Sequence, residues 1–440
     1  VENIRGWEWL EDDPLKKQIV AGIILSLTAI NLCRAAASSP PNQKIEDGAY
    51  VAIVGDSITE QKQYSVFIED YLLMCKPARN LHTTQFGWSG ETSWGFERRM
   101  ENDMLQFHCT AATTCFGMND GGYSPETPEK EKQYHDAQTS IVEKMKKGGV
   151  GFIVVGSPSC VDTDSFRHNP ELATMYNKTL ATERDIARKV AEEQGVAFAD
   201  VFDPMVEVME KAKAKYGHGY NLAGNDGVHP DANGHLVMAY AFLKGLGCGG
   251  DVGTITVDVA ANKADATDGH TVRSFKDGTI EIESSRYPFC FFGDDPRSTS
   301  STRGVLEFLP FNADLNRFTL VVTNAPAGKK LKVTWGNTSK SYTSEELAKG
   351  VNLAADFLDN PFSEPFRAVD QIVRQQQNFE TPLVKQLIHD LPAYRDAAPD
   401  ESPALDRIAA SLLKKDQALI EASSAAVKPI THSIKIEVEE

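Results

Sequence analysis

The chain lacks a basic surplus. Its 440 residues carry 45 Lys and Arg against 62 Asp and Glu, a formal charge of −17. A protein that holds a phosphate backbone replaces counterions with Lys and Arg, and none are spare here, so no nucleic-acid partner is expected. Cysteine is scarce, with seven in the whole chain. Cys33 lies in the first apolar run, and the other six are too few for a disulfide scaffold at this length. None has metal-site spacing, and neither metal nor organic cofactor is expected. One or two disulfides would suit an oxidising compartment, but the sequence does not pair them. No internal repeat is present. Beyond the first forty residues no apolar run is long enough to span a bilayer.

What is there reads as globular: 41% hydrophobic and 24% charged, in a chain long enough for two or more domains. One apolar run stands out. Lys16-Lys17 precede "QIVAGIILSLTAINL", and Ala35-Ala36-Ala37 follow. A charged, an apolar and a small-residue segment in that order predict a secretory signal peptide over 1–37. The competing readings are a short membrane anchor and a buried helix. Cleavage near Ser38 would leave an exported protein, periplasmic or extracellular, without stable membrane insertion. The acidic stretch "VENIRGWEWLEDDP" in front is wrong for such a leader, and the reading places the true start at Leu15.

"SSPPNQKIEDG" is read as a linker at 38–47. From 48 to 247, apolar strands alternate with helical patterns: "YVAIVG", "LHTTQFG", "HCTAATTCFG", "VGFIVVGSPS" and "VAFADVF" as strands, with helices between them. This predicts an α/β domain whose parallel sheet is covered on both faces. From 248 to 345 the runs "GTITVDVA", "TIEIES", "GVLEFLPF", "RFTLVVTNA" and "KLKVTWGN" predict a small antiparallel β unit. Residues 346–440 read as a helical tail with a final strand. The tail stripe includes Ile372, Leu383, Leu387, Ile408 and Leu412, which needs a surface to bury it. "HSIKIEVEE" alternates Ile434, Ile436 and Val438 as an edge strand would.

Four stretches carry chemistry. "YVAIVGDSITE" runs an apolar strand into a turn at Gly55-Asp56-Ser57, which presents a hydroxyl at a sheet edge. Taken alone, Ser57 is most simply a turn serine. "FGWSGETS" offers the bare backbone N–H of Gly90, and "CFGMNDG" the uncharged amide of Asn119. In "NDGVHPDANGH", Asp226 and His229 are three apart, which lets the carboxylate fold back onto one imidazole nitrogen while the other faces Ser57. Asp56 is read as a brace of the turn. His235 competes with His229 as a base but suits a helix-start histidine bonded to backbone; His82, His108 and His168 are read as structural. Trp88 and Trp94 flank Gly90 and are candidate substrate contacts, though filling core is as good a use of them. Asp162, in the loop "SPSCVDTDSFRHNP", is a further candidate contact, as is Asp164, although loop acids are more often solvated.

In this order the four blocks resemble the SGNH (GDSL) hydrolase family over residues 48–247. The resemblance implies a flavodoxin-like three-layer fold. It also implies Ser57 as nucleophile, Asp226 and His229 completing the triad, and an oxyanion hole of Ser57 N–H, Gly90 N–H and Asn119. The region after 247 resembles a C-terminal extension of some exported bacterial members. The expected function is a serine esterase working through an acyl-enzyme on a small-molecule or carbohydrate ester, with removal of acetyl from a carbohydrate as the leading case. The alternatives are a lipase or lysophospholipase, disfavoured by the lack of a long apolar lid, and a catalytically inactive sugar-binding surface protein. The oligomeric state is left open.

Overall fold

The computed structural model describes residues 45–76 and 80–439. The leader and most of the expected linker lie outside the described residues. β1 (Tyr50–Gly55), β2 (His82–Gln85), β3 (Ala111–Cys115), β4 (Phe152–Gly156) and β5 (Ala197–Ala199) form one parallel sheet in the order β2-β1-β3-β4-β5. Side chains alternate across a strand, and β1 shows the consequence. Val51 and Ile53 enter one core, with α2 (Tyr64–Asp70), α6 (Phe202–Tyr216) and α7 (Ala232–Gly245). Ala52 and Val54 enter the other, with α3 (Ser93–Asp103), α4 (Pro128–Lys147) and the second half of α5 (Pro170–Gln194). This is the three-layer architecture expected. The chain steps from β1 out to β2 and then back across to β3, so the order reverses beside β1. Open α/β sheets bind ligands at such a switch point, outside the carboxyl ends of the strands.

Beyond α7 two further sheets form. One has the order β13-β10-β6-β7, the other β12-β11-β14-β9-β8. Their runs are β6 (Asp251–Asp258), β7 (Lys263–Ala266), β8 (His270–Lys276), β9 (Thr279–Ser284), β10 (Arg317–Thr323), β11 (Lys330–Trp335), β12 (Thr338–Thr343), β13 (Val351–Asn352) and β14 (Ile430–Val438). Pairing is antiparallel except between β6 and β10. The expected strand at "GVLEFLPF" is instead a short 3-10 turn and loop. Val305, Leu309 and Phe311 are all buried there, on a segment that never pairs.

β14 corrects another expectation. It is the central strand of its sheet, between β11 and β9. Its alternation is real: Ile434 and Ile436 are buried while Lys435 and Glu437 face solvent. Alternation reports that one face of a sheet is wet. It says nothing about whether the strand's own N–H and C=O groups have neighbours on both sides.

The tail comprises α8 (Ser363–Pro382), a π turn (Leu383–Ile388), α9 (Leu391–Ala397) and α10 (Ser402–Ala426). Phe366, Val369 and Val373 of α8 join the same core as α2 and α7. Phe289 packs against Phe67 of α2, Phe311 and Phe366, with ring centroids 6.2, 5.0 and 5.0 Å away. Each large apolar side chain so buried contributes about 1.5–3 kcal/mol, and this cluster joins the α/β sheet, the β unit and the tail. Ile408, expected in the buried stripe, is 52% exposed. α10 buries only four residues, Ala409, Asp416, Ile420 and Ser423, and Ile420 is the one large apolar side chain among them.

Candidate active site

α1 (Ser57–Glu60) begins directly after β1, and the Asp56 carboxylate caps it by accepting Ile58 N–H at 2.9 Å. That cap holds Ser57 at the first position of the helix, above the sheet edge. Asp56 is 3% exposed, and burial pushes its carboxyl up to about 7, against the bond from Ile58. It is a brace, as the sequence suggested.

The base arrives on the loop before α7. Asp226 Oδ1 accepts the backbone N–H groups of Val228 and His229, both at 2.9 Å, while Oδ2 lies 2.6 Å from His229 Nδ1. The other ring nitrogen, Nε2, lies 2.8 Å from Ser57 Oγ. Partial burial opposes the charge on Asp226, but the bonds from His229 and Val228 outweigh it and hold the carboxyl below the usual range. With Nδ1–H donated to the carboxylate, Nε2 is left as the acceptor facing the hydroxyl.

Two glycines make this loop possible. At Gly224, φ is +77° and a Cβ would stand 1.8 Å from His229 O; at Gly227, φ is +78° and a Cβ would stand 2.4 Å from Phe166 N. Backbone therefore passes directly over both positions, and no side chain fits.

Gly90 lies in the turn after β2, with φ +74° and nothing within 4 Å of where its Cβ would be. Asn119 lies in the turn after β3, its Nδ2 donating to Glu91 O at 3.0 Å and its Oδ1 accepting from Tyr123 OH at 3.2 Å. Asp120 ties this turn to α3, accepting Ser93 N–H, Ser93 O–H and Gly117 N–H. Burial pushes Asp120 up to about 6 despite these bonds. Since β1 pairs with β2 on one side and β3 on the other, the turns bearing Gly90 and Asn119 flank Ser57.

The remaining candidates separate. His235 is buried, accepts Tyr64 N–H at 3.2 Å and contacts Gln61 Oε1 at 3.1 Å. Burial drives its ring down to about 3, and it is structural. Asp162 is not a substrate contact: it is fully buried, accepts the N–H groups of Asp164 and Ser165, and pairs with Lys213 at 3.1 Å. Its own N–H donates to Gly227 O at 2.9 Å. The loop thus buttresses the Asp226–His229 turn from below. Asp164 pairs with Lys213 as well. Trp94 is half-buried at the start of α3, with no ring or cation packed on it among the described residues. Trp88 lines an open groove of about 550 Å³ beside the Gly90 turn, with Arg98, Arg99, His389 and Pro392. Its ring also packs on Arg99 and Lys385, each 4.7 Å from the centroid.

Sequence reasoning missed Glu60, Asp120, Tyr123, Lys385 and His389. Asp120, beside Asn119 in a Gly-rich turn, had a signal in its turn chemistry. Lys385 and His389 had none, because their partners lie near the other end of the chain. Among the described residues no group of three or more His, Cys, Asp or Glu could hold a metal ion, and no helix is long and apolar enough to cross a membrane. The six described cysteines are buried and unpaired.

Residues 53–237 match the GDSL-like Lipase/Acylhydrolase family and make a domain of that type. An acetylxylan esterase of Geobacillus stearothermophilus is 23% identical over 228 residues, 46% of this chain and 96% of that protein. The structure of a gut microbial diltiazem-metabolizing enzyme shares the fold over 91% of this chain and 100% of its own, with a TM-score of 0.70 at 22% identity. That likeness extends the shared fold to the β unit and the tail.

Proposed function

We propose that the chain hydrolyses carboxylic esters through an acyl-enzyme on Ser57, and that its substrate is a carbohydrate bearing a short acyl group, acetyl foremost. One observation carries the reading: a continuous Ser57–His229–Asp226 hydrogen-bond chain at the switch point of the sheet. His229 Nε2 takes the Ser57 proton as Oγ attacks the carbonyl carbon. The carbonyl oxygen, now negative, is held by the N–H groups of Ser57 and Gly90 and by Asn119 Nδ2. The tetrahedral species collapses, and the alcohol leaves with the proton from His229. Water then gives its proton to His229 and attacks the acyl carbon; the acid departs and Ser57 recovers its proton. Asp226 keeps Nδ1 protonated and stabilises the imidazolium.

The acetylxylan esterase relative supports an acetylated carbohydrate as substrate. The groove lined by Trp88 and Glu91, the residues on either side of the Ser89-Gly90 pair, is the candidate place for the alcohol portion. The leader read over 1–37 supports export. The test is Ser57→Ala on p-nitrophenyl esters of rising chain length and on acetylated xylooligosaccharides. Turnover is expected to vanish on all of them with the melting temperature kept. A folded variant that still turns over removes the nucleophile; a parent rate that climbs with acyl length removes the short-acyl assignment.

A further inference from the structure

Behind the turn that carries Gly90 lies a contact from the far end of the chain. Ser89 N–H donates to Glu60 Oε2 at 2.5 Å. Glu60 Oε1 accepts from Lys385 Nζ at 2.6 Å. Glu60 closes the four-residue helix that Ser57 opens. One carboxylate therefore joins the helix of the serine, the residue before Gly90 and the tail. Only a fifth of each charged side chain is exposed, 20% for Glu60 and 21% for Lys385, so water competes weakly for the pair.

The same stretch of tail grips the preceding residues. Gln85 N–H donates to Glu380 Oε2 at 3.1 Å, and Gln85 Nε2 to Thr381 Oγ1 at 2.6 Å. Gln85 Oε1 in turn accepts Gly87 N–H at 2.9 Å. His389 packs edge-on to Trp88, with ring centroids 4.8 Å apart. Lys385 lies in the π turn Leu383–Ile388, closed by His389 N–H to Val384 O at 2.9 Å. Such turns interrupt an α-helix and are frequent at functional sites.

Resting on the serine reading above, we infer that Lys385 is a positioning residue for the oxyanion site: acting through Glu60, it sets where Ser89, and hence Gly90 N–H, stands relative to Ser57. Removing the ammonium leaves a half-buried carboxylate with a single backbone donor, and the carboxylate turns to water. The Ser89–Gly90 turn then loses its anchor. A misplacement of about 1 Å costs as much as about 10²-fold in rate. The loss falls on turnover, because the oxyanion exists only in the transition state.

The experiment uses the full chain and p-nitrophenyl acetate, with kcat expressed per site titrated by a fluorophosphonate. Lys385→Met is expected to lower kcat roughly 10- to 100-fold while KM stays within about twofold. Lys385→Arg is expected to restore most of it, since a guanidinium reaches the same carboxylate. Combining Lys385→Met with Glu60→Ala is expected to cost no more than either alone, because the two act as a unit. A merely structural role would lower the melting temperature and the titratable fraction but leave kcat per site unchanged. Parent-like kcat in Lys385→Met overturns the inference, as does a raised KM with kcat kept. Should that variant not fold, Glu60→Ala is read by the same criteria. Ser57→Ala in the same assay separates the two proposals: if it is inactive and Lys385→Met is normal, only the positioning role falls. If Ser57→Ala turns over normally, both fall.

Discussion

Asn119 can donate to an oxyanion only if its amide nitrogen, rather than its oxygen, points toward the serine side of the turn. Its neighbours decide this. Glu91 O accepts and cannot donate, so the atom 3.0 Å from it is the nitrogen. Tyr123 OH donates to the oxygen at 3.2 Å. One proton of the NH2 group is thereby spent on Glu91 and the other is left for substrate. Asn119→Ala should then lower kcat by about 10²- to 10³-fold, the usual effect of deleting one oxyanion donor, with KM changing far less. Steady-state kinetics on one ester checks this; a loss confined to KM would contradict the role.

At the level of elements, the last strand is held by a directed chain of hydrogen bonds. Trp335 Nε1–H can only donate, and it donates to His432 Nδ1 at 3.2 Å. His432 is therefore neutral, with its proton on Nε2, which donates to Ser284 Oγ at 2.9 Å. The serine hydroxyl passes to His270 Nδ1 at 2.8 Å, and His270 Nε2–H ends on Val252 O at 3.0 Å. The chain crosses β11, β14, β9, β8 and β6. A second proton on His432 would face the indole N–H, and burial, with His270 nearby, already drives the ring down to about 4. Since an unfolded histidine titrates near about 6.5, the unfolded state binds the extra proton between those values. His432 thus contributes stability that is complete above about pH 6.5 and is lost as pH falls toward 4, on the order of 3 kcal/mol. Glu69 works in the opposite sense: burial raises its carboxyl despite bonds from Gln377, Thr83 and Gln376, so its contribution is present at low pH and lost as pH rises. The comparison is therefore between parent and His432→Gln, by melting temperature from pH 7 to pH 4. The variant should lose less than the parent over that range; parallel curves would remove the assignment.

The molecule as a whole behaves as one packed body in this structure. One apolar core runs from α2 and α7 through Phe289 and Phe311 into the β unit and α8. Polar contacts follow the same seam: Ser65 O–H donates to Gln377 Oε1, and the Gln377 and Gln376 amides donate to Glu69. Cutting the chain at residue 248 would uncover Phe67 and Tyr71, both buried in the full chain with their rings against Phe289, and would strand the Glu69 carboxyl. An apolar face of that extent is an aggregation liability. The truncated hydrolase region should be poorly soluble or melt well below the parent. It should also turn over slowly, since the contacts of Lys385 and His389 go with the tail. A truncated protein with unchanged melting temperature and full turnover on small esters would show the rest to be a tethered module.

The five strands of the parallel sheet were legible in the chain alone, and so were Ser57, Gly90, Asn119, Asp226 and His229 as candidates, because each strand or block is written within about ten residues. An apolar run ends in a small-residue turn; an Asp and a His stand three apart around a glycine. α6 is equally local, with Met205, Val208, Met209 and Ala212 buried at helical spacing. Other features depend on what lies opposite after folding. Asp162 reads as a loop acid until Lys213 and Gly227 are beside it. The side-chain alternation of β14 is the same at the centre or the edge of a sheet, because pairing uses backbone groups that every residue carries. Lys385 and Glu60 are 325 residues apart, and no periodicity or turn chemistry acts over that distance. Local chemistry determined the catalytic candidates and the sheet that carries them; only the tertiary packing decided what stands behind them, since a long-range partner is selected by the shape of the whole chain.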